Sequence, residues 1–227
     1  MLRAGLTGDL GSGKSTVARM LAERGAVVLS SDEMGRALMQ PGERVFAEIV
    51  ARFGSGVVAA DGASGLLDRK KLAALAFDAK KPRVEELNAI VHPAVIEAQA
   101  EQLAELARTD PHAIAVVESA LIFSTQYGAV EHGSRGSWRD RFDCVLLVEA
   151  PEEVKIARFV DRIAAGRTLG PEERAGLEAD ARRRLQVQRL TVYPGDCLVL
   201  HNDRDVELLE QQVDVVWGRL KKMEAAG

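Results

Sequence analysis

At 227 residues with 47% hydrophobic content, the chain carries enough apolar side chains for one compact α/β body, with or without small insertions, and full disorder is excluded. Its net charge of −4 leaves no global basic footprint for nucleic acid, and aromatics at 4% are too few for a base-stacking platform. Any anionic ligand must therefore be held by local cations.

Met1 leads directly into a strand pattern, Leu2, Ala4 and Leu6 with Arg3 and Thr7 interleaved. No charged leader and apolar segment of the signal-peptide kind precede it, and no apolar run approaches membrane-spanning length. A cytoplasmic enzyme with no membrane partner is the expectation. The next residues, Gly8-Asp9-Leu10-Gly11-Ser12-Gly13-Lys14-Ser15, fit the phosphate-binding pattern G-x-x-x-x-G-K-[ST]. Thr16 to Arg24 then reads as a helix, since Val17, Met20 and Leu21 fall at i, i+3 and i+4 with no proline between them. The plain alternative is a glycine-rich turn that matches by accident, and the strand-loop-helix context argues against it.

The motif explains its own residue types. Glycines let consecutive N–H groups turn inward around a polyphosphate, and the helix N-terminus adds partial positive charge behind them. Gly11, Ser12, Gly13, Lys14, Ser15 and Thr16 are the expected nucleotide contacts. Lys14 would reach the outer phosphates and the Ser15 hydroxyl would ligate Mg²⁺.

Apolar runs recur at Val27 to Leu29, Ala113 to Val117, Cys144 to Val148 and Cys197 to Leu200, separated by helical patterns. Such alternation predicts a parallel sheet with its ligand at the carboxyl ends of the strands, where Gly8, Asp32, Glu118 and Glu149 lie. Cys144 and Cys197 sit inside two of these runs without metal-ligand spacing and read as core thiols.

Between the second and third strands three helical faces are expected: Phe46, Ile49, Val50 and Phe53; Leu72, Leu75 and Ala76; Ile96, Ala100, Leu103 and Ala107. A loop or short hairpin over 53–68 joins the first two. After Pro151, helices over 152–165 and 172–189 flank a turn, with acids early and Arg182-Arg183-Arg184 late in the second. They read either as a solvated surface pair or as a mobile lid carrying arginines over a triphosphate. A last helix presents Val206, Leu209, Val213, Val216 and Leu220, with a frayed tail from Lys221.

At this point the chain resembles the dephospho-coenzyme A kinases. The resemblance is carried by Gly5-Leu6-Thr7-Gly8 through Lys14-Ser15-Thr16-Val17-Ala18, Ser31-Asp32, Pro41-Gly42, Phe53-Gly54 and Asp61-Gly62. It continues through Leu67-Asp68-Arg69 with Leu72, His92-Pro93, Val148-Glu149-Ala150-Pro151, Arg158, Arg162 and Asn202. The ordered series beyond the phosphate loop is what makes it specific. One departure is Glu118-Ser119-Ala120-Leu121-Ile122, where the family usually shows an acidic residue, an apolar residue, proline and two leucines; the stretch 131–141 is also longer than usual.

The resemblance implies an α/β fold of the P-loop NTPase type, a parallel sheet flanked by helices with a helical substrate-binding insertion and a two-helix lid. The nucleotide-binding core would comprise 1–32, 111–151 and 191–227, the acceptor-binding insertion 33–110 and the lid 152–190. It implies phosphorylation of the ribose 3′-hydroxyl of dephospho-coenzyme A by ATP with Mg²⁺, both substrates being small molecules. Lys14, Arg158 and Asp32 would be catalytic, the last as base or orienter of the hydroxyl, and Arg162 would meet the nucleotide. Thr7, Asp32, Arg69 and His92 would face the acceptor; Ser15 and Glu118 would serve the metal. Plain structural roles stand beside these: Asp32 as a helix N-cap, His92 as a helix-start residue ahead of Pro93, and Arg69 as the partner of nearby acids. His112, His132 and His201 read as ordinary surface or loop residues. Rival readings are another small-molecule P-loop kinase, acting on a nucleoside monophosphate, shikimate or gluconate, and a nucleotide switch without transfer, although the Asn-Lys-x-Asp element of guanine-reading switches is absent.

Overall fold

The computed structural model describes residues 1–59, 65–78, 81–120, 122–123, 138–188 and 195–227. Asp61-Gly62, Leu121, His132, Arg189 and residues 131–137 of the long stretch lie outside them. The described residues fall into two units, one drawn from Met1–Leu29, Leu106–Ser124 and Ser137–Gly227, the other from Ser30–Glu105.

In the first unit, β1 (Leu2–Thr7) is the middle of five strands that the described residues place in the order β2-β3-β1-β4-β5. It pairs in parallel with β3 (Ile114–Glu118) and β4 (Cys144–Glu149), and β4 pairs in parallel with β5 (Leu198–His201). The second strand, β2 (Val27–Ser30), lies at the other edge. β1, β3 and β4 are buried almost without alternation, as strands covered on both faces must be. On one face Leu2, Ala4 and Leu6 pack with Val17, Met20 and Leu21 of α1 (Lys14–Glu23) and with Leu209, Val213, Val216 and Leu220 of the last helix. Truncating a fully buried leucine here, such as Leu21 to alanine, would cost about 2–5 kcal/mol.

The last helix runs Val206–Ala226, so the expected fraying from Lys221 does not occur. Burial of Leu220 and the bond between His112 Nδ1 and Glu224 Oε1 at 2.9 Å hold that end. The cysteines are free and half-buried, and burial pushes the Cys144 thiol up to about 11.

In the second unit the three expected helices are four among the described residues: α2 (Ser31–Leu38), α3 (Arg44–Phe53), α4 (Arg69–Ala76) and α5 (Val84–Thr109), which continues into the first unit. Val45, Ile49, Phe53, Val57, Leu72 and Ala94 form its core. Ala100 and Ala107 are exposed instead, because α5 buries Ala94, Val95 and Gln99, and Leu75 is exposed because α4 buries Leu72 and Ala76. Of the expected loop or short hairpin, the described residues show one antiparallel bridge, Val58 with Leu67. The Arg83 guanidinium covers the Phe53 ring at 4.3 Å and, with Arg52, draws the Glu86 carboxyl down to about 2.

His92-Pro93 is not a helix start. Pro93 lies inside α5, where it lacks the N–H that would meet the Ala89 carbonyl. The preceding turns already supply Glu85 and Glu86 at the N-terminus, so the helix begins at Val84 without the proline's help.

After the short α6 (Trp138–Arg141), the helices α7 (Glu152–Ala164) and α8 (Pro171–Gln188) form an antiparallel pair belonging to the first unit. Ile156, Phe159, Val160, Ala181 and Leu185 are its seam. The arginine run is neutralised locally: Arg182 meets Glu152 and Glu153, and Arg183 and Arg184 meet Asp180.

Candidate functional site

The loop leaves β1 at Gly8 and returns to helix at Gly13, which stands as the N-cap of α1 in the left-handed region with φ of 98°. A glycine cap has no side chain to meet the first-turn N–H groups, and that turn holds no acidic residue. Those donors, with the helix dipole behind them, are what an anion needs. The Lys14 ammonium folds back on the loop, 2.7 Å from the Gly8 carbonyl and 3.0 Å from that of Asp9. The Ser15 side chain is exposed and Thr16 half-buried. Ser12 is only 1% exposed, and its hydroxyl has no hydrogen-bond partner among the described residues.

Thr7 departs from expectation. It is completely buried, with its hydroxyl also unpartnered, so in this conformation it cannot touch an acceptor. Its strand is covered on both faces, and the interleaved position that suggests exposure in sequence instead points into packing.

The loop is gripped from α7, α8 and the end of β5. Leu10 packs into the seam of the helix pair, and its N–H donates to Gln188 Oε1 at 2.8 Å. The Lys155 ammonium donates to the Asp9 carboxylate at 2.7 Å. A Cβ on Gly11 would lie 2.3 Å from the Lys155 carbonyl oxygen, so only glycine passes there. Asn202 Nδ2 donates to the Ser12 carbonyl at 2.8 Å, while Arg158 donates to the Asn202 carbonyl at 3.1 Å and to its Oδ1 at 3.0 Å. Asp9, Lys155 and Gln188 escape sequence reasoning altogether, and Asn202 enters it only as the end of a resemblance.

Of the two expected arginines, the structure brings Arg158 to the loop. Arg162 is exposed, with its guanidinium 5.7 Å from the Phe159 ring centre, a ring shared with Arg184 of α8 at 5.5 Å. Glu118 closes β3 in register with Leu6, and the following N–H of Ser119 donates to the Leu6 carbonyl. Its strand therefore ends level with Leu6, two residues before the phosphate loop begins at Gly8. A hydroxyl and a carboxylate are hard oxygen donors that suit magnesium, and the described residues contain no cluster of three or more His, Cys, Asp or Glu that could cage a metal alone.

In the helical unit, Asp32 is exposed in the first turn of α2. It is not the cap: the Ser30 hydroxyl accepts from the Glu33 N–H at 3.4 Å and fills that role. Arg69 is exposed at the rim of a groove of about 330 Å³ whose other walls include Met39, Leu67, Leu72, Phe77 and Leu87. It forms no ion pair among the described residues, which leaves the plain alternative of acid partners without support. His92 is half-buried on α5 and does not line that groove. Burial pushes its imidazole below the usual value, against a smaller upward pull from Glu85.

The sequence profile of the dephospho-CoA kinase family matches residues 2–189. A dephospho-CoA kinase of Corynebacterium jeikeium is 38% identical over 97% of this chain and all of its own length. One of Moorella thermoacetica is 34% identical over 98% of this chain and 93% of its own. Among solved structures, a Thermus thermophilus protein superposes with a TM-score of 0.62 at 28% identity, covering 96% of this chain and 97% of its own. A Campylobacter jejuni dephospho-CoA kinase shares the fold with a TM-score of 0.54 at 17% identity, over 97% of both chains. On the breadth of these matches, and with a complete phosphate loop at the end of its central strand, the chain belongs to the dephospho-coenzyme A kinase family.

Proposed function

We propose that the chain transfers the γ-phosphoryl group of ATP to the ribose 3′-hydroxyl of dephospho-coenzyme A, giving ADP and coenzyme A. The observation that carries this reading is the uncapped start of α1 behind Gly13, with Lys14 folded over the loop, in a chain matched along its length by that family. Phosphoryl transfer needs little covalent help and much positioning, because charge spreads over the moving group.

Lys14 exchanges its contacts with the Gly8 and Asp9 carbonyls for phosphate oxygens, and the N–H groups of the loop cradle the rest. Arg158, already ordered beside the loop, and Arg162 add positive charge from α7. Ser15, with Glu118 in support, would hold magnesium, which would supply countercharge to the phosphates. Asp32 orients the acceptor hydroxyl and takes its proton; the Ser30 cap leaves its carboxylate without a structural duty in α2. Arg69 and His92 contact the acceptor from the helical segment 33–110. The pair α7–α8 acts as the lid over the nucleotide.

The test is an ADP-release assay with ATP and dephospho-coenzyme A beside a panel of nucleoside monophosphates, shikimate, gluconate and other sugars. Turnover confined to dephospho-coenzyme A is expected. Preference for another acceptor would reassign the substrate, and tight nucleotide binding with no acceptor turned over would favour a switch.

A further inference from the structure

Asn202 is fixed before its side chain is considered. Its N–H donates to the Glu149 carbonyl at 2.7 Å, the bond that completes the Glu149–His201 pair at the end of the β4–β5 ladder. From that rigid base Asn202, only 7% exposed, uses the two ends of its carboxamide on different partners: Nδ2 donates to the Ser12 carbonyl, and Oδ1 accepts from Arg158. Reversing the amide would set oxygen against carbonyl and NH₂ against guanidinium, so only this orientation satisfies both. The fit is tight enough that a Cβ on Gly13 would lie 2.1 Å from Nδ2, which gives Gly13 a second reason to be glycine beside its backbone angle.

Arg158 in turn spends Nη1 and Nη2 on the Asn202 carbonyl, on Oδ1 and, at 3.5 Å, on the Ser12 carbonyl. A long side chain is thereby ordered before any ligand arrives, and the entropy of ordering it does not count against binding. We propose that Asn202 is a positioning residue, which fixes Arg158 against the phosphate loop so that the guanidinium meets the bound nucleotide in one orientation. This rests on reading the loop as an ATP site.

The test is a double-mutant cycle on the Kd for MgATP, measured by titration without acceptor, with Asn202→Ala, Arg158→Ala and the double variant. Asn202→Ala is expected to weaken MgATP binding roughly tenfold in the wild-type background, in the range for losing hydrogen bonds to a charged group, and by less than about twofold once Arg158 is absent. Factors that multiply in the double variant, or an Asn202→Ala chain that binds MgATP like wild type, would overturn the proposal. Asn202→Leu keeps the shape of the side chain but neither of its hydrogen bonds, and should weaken MgATP binding as Asn202→Ala does. Asn202→Leu, close in shape and volume, also carries the cycle if Asn202→Ala does not fold. A wild-type chain that binds MgATP and shows this coupling without phosphorylating dephospho-coenzyme A removes only the acceptor reading. Absence of MgATP binding by the wild type removes both.

Discussion

The Lys155 ammonium stands 2.7 Å from the Asp9 carboxylate, with the two side chains only 13% and 18% exposed, and so joins α7 to the second residue of the phosphate loop. A pair this sheltered is costly to halve, because the remaining charge keeps its burial and loses its partner. Lys155→Met should lower unfolding stability by about 1–3 kcal/mol, the lower value reflecting residual water access. Adding Asp9→Asn should return part of that loss. Urea unfolding of the two single variants and the double variant decides it, and strictly additive losses would mean that the pair is not coupled.

Lys14→Ala removes an ammonium that donates to the Gly8 and Asp9 carbonyls of its own loop, and the fold should be kept. Turnover should fall on the order of 10²-fold or more, as expected for losing one transition-state countercharge, with circular dichroism and melting temperature close to wild type. Near-normal turnover would remove the motif from the mechanism.

Asp32 and its neighbour Ser30 now separate cleanly, since Ser30 holds the cap and Asp32 does not. Asp32→Asn should lower kcat by roughly 10²- to 10⁴-fold, the range for a lost general base, while ATP binding and melting temperature barely change. Ser30→Ala should do the reverse, costing about 1 kcal/mol of stability by loss of the cap with kcat largely kept. An active Asp32→Asn enzyme would end the general-base assignment.

What the sequence discloses is what its near neighbours decide. The five strands, the phosphate loop and the buried face of α1 are all readable because their signals lie within one element, and the structure moves their ends by only a residue or two. Thr7 was not readable, since a strand covered on both faces has no alternation to say which side meets a ligand. Asn202 and Lys155 reach across 190 and 146 residues to Ser12 and Asp9, and no local pattern encodes a partner at that distance. Pro93 misled for a different reason: proline favours helix starts, yet α5 carries it mid-helix, and Ala94 and Val95 beside it are buried.

Arg69 should act on one substrate and not the other. It stands at the rim of an apolar groove with no ion-pair partner among the described residues, so Arg69→Ala should raise the KM for dephospho-coenzyme A several-fold, about what one exposed charge-assisted contact supplies, while the KM for ATP stays put. Initial rates against each substrate in turn give the answer. Equal rises in both would point to general damage to the fold.

His92 gives the protein a pH dependence whose sign follows from its burial. The folded chain holds the imidazole below the ordinary value of 6.5, chiefly because burial disfavours the charged form. Above that value both folded and unfolded chains carry a neutral ring, and His92 contributes no slope. As pH falls through 6.5 the unfolded chain takes up a proton that the folded chain refuses, so stability declines, and the decline levels off only below the folded value. The nearby Glu85 softens the effect without reversing it. His92→Gln cannot titrate. Melting temperatures of the two proteins should therefore differ by a constant amount between pH 7 and 8.5, with the wild type losing ground to the variant towards pH 5.5. Parallel profiles over the whole range would show that His92 titrates as if exposed, and a wild type that gains on the variant in acid would show that Glu85 outweighs burial.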